Sequence, residues 1–132
     1  MSAGRYSFTI EQGATLDFEL AYKDSNNDPI DLTGYQGRMQ IRPSIGSETT
    51  YITLSSSLED DRTGLNLSGS DGLNPLASGT IGIFISANSS SLLNFEEAVY
   101  DLELATGSEF PVVTRLLEGN VKLSKNVTLG SF

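Results

Sequence analysis

Large apolar side chains recur at every second position through much of this chain. Tyr6, Phe8 and Ile10 alternate with Ser7, Thr9 and Glu11, and Leu16, Phe18, Leu20 and Tyr22 alternate with Asp17, Glu19 and Lys23. Successive side chains of a strand point to opposite faces, so this spacing gathers the apolar set on one face; a helical turn would mix the two sets. The rhythm returns at Gly37, Met39 and Ile41 against Arg38, Gln40 and Arg42, and more briefly at Ile52 and Leu54 and at Leu65 and Leu67. Ile81, Ile83 and Ile85 alternate with Gly82, Phe84 and Ser86, and Tyr100, Leu102 and Leu104 with Val99, Asp101 and Glu103. The last run, Val112 to Leu123, reads either as one long strand bulged at Gly119 or as two strands split at Glu118-Gly119-Asn120. The bulged long strand is the preferred reading.

Between these runs the residues change to turn chemistry. Asp24-Ser25-Asn26-Asn27-Asp28-Pro29 combines residues that tolerate left-handed backbone with one that ends pairing. Ser55 to Thr63 and the Gly-, Ser-, Asn- and Pro-containing stretch Ser68 to Ser78 read as loops, and Thr106-Gly107-Ser108 as a hairpin turn. Asn88 to Asn94 offers one short helical turn capped by Asn88 or Ser89. Seven or eight short strands and minimal helix predict an all-β, antiparallel β-sandwich, because each one-sided apolar strand needs a facing sheet. No repeat or composition shift marks a second domain, so residues 1–132 are expected to form one domain with short flexible termini, about 1–4 and 130–132.

Composition narrows the chemistry. The 132 residues are 38% hydrophobic and 19% charged, a balance that favours a folded core over disorder. A formal charge of −9 argues against binding nucleic acid or an anionic membrane surface. No apolar run reaches the length of a membrane span, and Met1 to Arg5 lacks the apolar centre of a secretory signal. The chain has no Cys, no His and no Trp. Thiol nucleophiles, sulfur-bound metals, disulfides and any Ser-His-Asp triad are thereby excluded, as is the strongest stacking platform for sugars. The expectation is a protein without enzymatic activity, cofactor, metal or small-molecule substrate.

Individual motifs carry weak signals. Asp24 to Asp28 resembles the start of a calcium loop, but Pro29 stands where the sharp turn needs Gly and Tyr35 where a bidentate Glu is required. Glu59, Asp60 and Asp61 read as a solvated loop, since neighbours in a loop rarely converge on one point; Glu96 and Glu97 read likewise. Three glycosylation-like tripeptides, beginning at Asn66, Asn88 and Asn126, are read as coincidence. Arg38, Arg42 and Arg115 are expected to pair across strands with Asp or Glu, a cationic ligand-binding face being the alternative. Phe84 interrupts an outward face, where it either packs under a loop or sits at a subunit contact; Phe110 and Phe132 carry the same two readings.

The run Phe8-Thr9-Ile10-Glu11-Gln12-Gly13-Ala14-Thr15-Leu16, then Pro29 to Tyr35 and Arg38-Met39-Gln40-Ile41-Arg42, resembles small structural proteins of tailed bacteriophages, many of them marine. Val99 to Leu104 and Thr114 to Val121 look like the second half of the same pattern, which spans residues 6 to 128; residues 55 to 78 have no counterpart in it. The resemblance implies an immunoglobulin-like sandwich serving as a virion component of baseplate, tail or capsid decoration, assembled in the bacterial host cytoplasm. Its partners would be other virion proteins or further copies of itself, as a homo-oligomer. It carries no catalytic residues. A carbohydrate- or receptor-binding module on the same sandwich is the alternative.

Overall fold

The structure, a computed structural model, describes residues 4–128. The large sheet is built from β1 (Gly4–Arg5), β2 (Phe8–Glu11), β4 (Tyr35–Arg42), β5 (Ile52–Ser55), β8 (Glu97–Thr106) and β9 (Val113–Ser124). The small sheet is built from β3 (Leu16–Ala21), β6 (Gly64–Asn66) and β7 (Thr80–Ile85). Among the described residues helix is confined to α1 (Ala87–Ser91) and a 3-10 turn at Leu76–Ser78. The all-β sandwich expected from the two-residue rhythm is therefore present.

The large sheet runs β1-β9-β8-β4-β5 with β2 also on β9, and the small one β3-β7-β6. With β1 and β2 taken as a split first strand, that strand lies on the larger sheet, beside the last one. The sandwich is not wholly antiparallel, because β1 and β2 both run parallel to β9. Gly4 pairs with Leu117 and Phe8 with Val121, so the two pieces hold one register across the break at Tyr6-Ser7. Gly4 and Arg5 are thus strand residues rather than part of a loose arm. The terminal segments expected to be flexible otherwise fall outside the described residues.

The core is the set of inward positions that the alternation marked. Ile10, Met39, Ile41, Leu54, Leu65, Ile81, Ile83, Ile85, Leu102, Leu104 and Val121 are all fully or almost fully buried. Leu32, Leu93 and Phe95 join them from connecting segments. One open side of the sandwich is closed by aromatic rings: Phe8 lies 5.3 Å from Phe18 and 5.0 Å from Tyr100, with Tyr6 stacked outside.

Three local expectations change. The final strand is continuous, but its irregularity lies at Leu116, which is skipped between the pairs Leu102–Leu117 and Glu103–Arg115. Gly119 pairs regularly with Tyr100; a Cβ there would collide with the Tyr6 carbonyl. That carbonyl turns inward to accept a hydrogen bond from the Tyr100 hydroxyl. The glycine is needed for close approach of two backbones, not for a bulge. The helix N-cap is Ser86 rather than Asn88 or Ser89, with the Ser89 N–H donating to Ser86 Oγ at 3.1 Å. Strand β6 ends at Asn66, so Leu67 is half-buried outside it.

Candidate functional site

The outward face of the large sheet holds a cleft of about 570 Å³. Alternation on three adjacent strands builds it: Arg38, Gln40 and Arg42 from β4, Val99, Asp101 and Glu103 from β8, and Arg115, Glu118 and Asn120 from β9. Arg5 reaches in from β1, and the β4–β5 loop forms a lip with Ile45. Four of the chain's five arginines are gathered here.

Cross-strand register sets the ion pairs. Arg38 stands beside Glu103 on β8, and its Nε donates to Glu103 Oε1 at 2.8 Å. Arg115 lies between Asp101, at 3.4 Å, and Glu118, at 3.9 Å, while Arg5 approaches Glu118 from the other side at 3.9 Å. The expected pairing of Arg38 and Arg115 with acids is therefore present. Arg42 departs from it: Nε and Nη2 donate to Gln40 Oε1 and Nη1 to the Ser47 carbonyl, so it braces the β4–β5 loop.

The arrangement is layered. In the Arg38–Glu103 pair the arginine side chain is 67% exposed and the glutamate 21%, so the guanidinium lies over the carboxylate and faces water. Partial burial and then the Glu103 charge push the Asp101 carboxyl above its ordinary range, against the lowering pull of Arg115 and Arg38. The exposed layer is rich in N–H donors that the ion pairs leave unused, since each guanidinium carries five. Such a surface accepts carboxylates and other planar anions.

A second polar cluster lies at the opposite sheet. Asp61, in the β5–β6 loop, accepts hydrogen bonds from the hydroxyls of Ser86 and Ser89, the latter at 2.9 Å, and from the Thr63 N–H at 3.0 Å. Thr63 Oγ1 in turn accepts from the Ser86 N–H at 3.1 Å. These bonds hold the Asp61 carboxyl well below the usual carboxylate range, with the Ser86 hydroxyl contributing most. Glu59, Asp60 and Asp61 are all exposed, as a solvated loop would have them, and Asp61 in addition fastens the loop to the start of α1.

The other candidate residues separate. Phe84 is half-buried on the outer face of β7, with the Arg62 guanidinium 4.8 Å above its ring, so the loop covers it. Phe110 is 83% exposed at the tip of the β8–β9 hairpin. Phe132 lies outside the described residues. Asp24 closes its own turn by accepting from the Asn26 and Asp28 N–H groups. Among the described residues no group of three or more Asp or Glu is placed to hold a metal ion, and no helix is long and apolar enough to cross a membrane.

Comparison with known proteins gives no family: no family model matches the chain, and no curated protein matches it.

Proposed function

We propose that this chain is a structural module of a tailed-phage particle, in its baseplate, tail or capsid decoration, and works by protein–protein assembly. The supporting observation is how its polar side chains are used. The carboxylates of the cleft lie beneath arginines, and Asp61 is committed to binding one loop to one helix. By contrast, large apolar side chains stand unsatisfied at the two ends of the sandwich, Ile45 at 92% exposure and Phe110 at the other end. Exposed apolar groups beside charged ones are the composition of a contact surface. The resemblance carried by residues 6 to 128 supplies the kind of particle. The cleft suits carbohydrate poorly, because the one aromatic residue lining it among the described residues, Tyr100, is buried and presents no stacking face. Mass spectrometry of purified particles of the encoding phage is expected to find this chain in many copies per particle. Its absence from the particles would reject the reading.

A further inference from the structure

The ends of β4 separate two features that complement each other. At the Tyr35 end, the β8–β9 hairpin closes against the chain through the Gly107 N–H, which donates to the Gly34 carbonyl at 3.0 Å. Its tip carries Glu109 and Phe110, both exposed. At the Arg42 end, Ile45 forms the exposed lip of the arginine cleft. Eight residues of strand place these features about 25 Å apart, on opposite ends of one molecule.

We propose that the Glu109-Phe110 hairpin tip of one copy docks into the arginine cleft of a second copy, joining subunits head to tail. The proposal rests on the assembly reading above and names the surface and partner it uses. Three properties match. The tip pairs an apolar ring with an adjacent carboxylate, and the cleft pairs the apolar side chains Ile45 and Val99 with guanidinium groups that have spare donors. The cleft volume of about 570 Å³ is of the size that accepts a few side chains. The tip is already ordered, so little entropy is lost on docking. Thr106 N–H donates to the Val112 carbonyl, Val112 N–H to Thr106 Oγ1 at 2.9 Å, and Ser108 Oγ to the Phe110 carbonyl at 3.1 Å.

Net charge sets the direction. Four arginines against three carboxylates give the cleft a formal +1, leaving −10 on the rest of a chain whose total is −9. Copies repel broadly, and the cleft is the place where an acidic surface is accepted. Screening over about 8 Å at physiological salt confines that repulsion to near neighbours and lets the local match decide. A contact between two different patches is heterologous, so it closes into a ring or continues as a filament.

Sedimentation velocity of the full chain over a concentration series tests this with two surface variants, Phe110→Ser in the tip and Ile45→Asp in the cleft. Both side chains are almost free of contacts, so folding is preserved, and circular dichroism checks that it is. The wild-type chain is expected to form dimers and longer species, each variant to associate roughly ten- to a hundredfold more weakly. Mixing the two variants restores one intact contact per pair: the Ile45→Asp chain supplies a tip and the Phe110→Ser chain a cleft. Heterodimers that grow no further are the expected product. A wild-type chain that stays monomeric to its solubility limit overturns the proposal. Association unaffected by either variant, a mixture with no recovery, or a wild-type chain that stops at dimers, the mark of a two-fold contact, overturns it equally. Chains found in virions yet failing this test would refute the contact and leave the assembly reading standing.

Discussion

Gly119 and Tyr100 form one packed device. The missing Cβ lets the Tyr6 carbonyl enter, and the buried Tyr100 hydroxyl donates to it, tying the first strand to the sheet. Burial pushes the Tyr100 hydroxyl well above its ordinary range, with the nearby Tyr6 adding to the shift, so it stays a donor at all ordinary pH. Gly119→Ala is expected to destabilise the fold by roughly 2–3 kcal/mol through overpacking, and Tyr100→Phe by about 1 kcal/mol through the lost hydrogen bond. Urea unfolding monitored by circular dichroism reads both. Near-wild-type stability of the alanine variant would show that the backbones separate freely here. Asp101 behaves oppositely to most paired carboxylates. Its folded-state affinity for a proton exceeds that in the unfolded chain, so its ionised form opposes folding at neutral pH and the penalty is relieved as pH falls through the raised value. Asp101→Asn is therefore expected to leave stability at pH 7 within about 0.5 kcal/mol or raise it, despite the Arg115 pair. Parallel denaturation of the two proteins at pH 7 decides this.

The Asp61 bonds join a loop and a helix too short to persist unaided. A five-residue helix depends on its cap, and Ser86 serves as that cap while also donating to Asp61. Ser86→Ala is expected to cost about 1 kcal/mol as a lost cap and to release the β5–β6 loop. Hydrogen exchange should show faster exchange at Ser89 and Thr63 together; acceleration at Ser89 alone would separate the two elements. The Asp61 pKa is depressed in the fold, so the fastening is fully present above the ordinary carboxylate value and is lost only when pH falls through the lowered one. Mild acid near pH 4 therefore leaves it closed. This clamp was hidden in the sequence because its parts lie 25 and 28 residues apart and meet only after β6 and β7 have paired. The arginine face was visible as alternation, since Arg38, Gln40 and Arg42 share one side of β4. Leu32, Leu93 and Phe95 are not legible as core in the sequence, because their burial comes from connecting segments that have no period of their own. A glycine in a strand signals either an extra residue or a close backbone approach, and only the neighbour across the sheet distinguishes them, so the sequence alone does not place the irregularity at Leu116.

The sandwich is closed by its first strand. Without β1 and β2 the long edge of β9 would be bare, and the aromatic layer of Phe8, Phe18 and Tyr100 would lose a member. Ile10 is fully buried and Phe8 packs against the core. Removing Ile10 and the half-buried Phe8 costs about 2–5 kcal/mol in apolar burial alone, before the ladder bonds and the Tyr100 bond are counted. That is comparable with the total stability of a domain of this size, about 5–15 kcal/mol. A chain beginning at Gly13 is therefore expected to be largely unfolded, or to associate through the exposed edge of β9. The parallel register runs unbroken from Gly4–Leu117 to Glu11–Ser124, so a synthetic peptide of residues 4–12 presents every group that the edge requires. Adding it is expected to restore the strand signal in circular dichroism and a monomer-sized peak in gel filtration. The same peptide with Ile10→Asp should fail, because it would bury an unpaired carboxylate in the core. A truncated chain that folds unaided, with the stability of the full protein, would mean that the two sheets close without their first strand and that its parallel pairing is incidental to the fold.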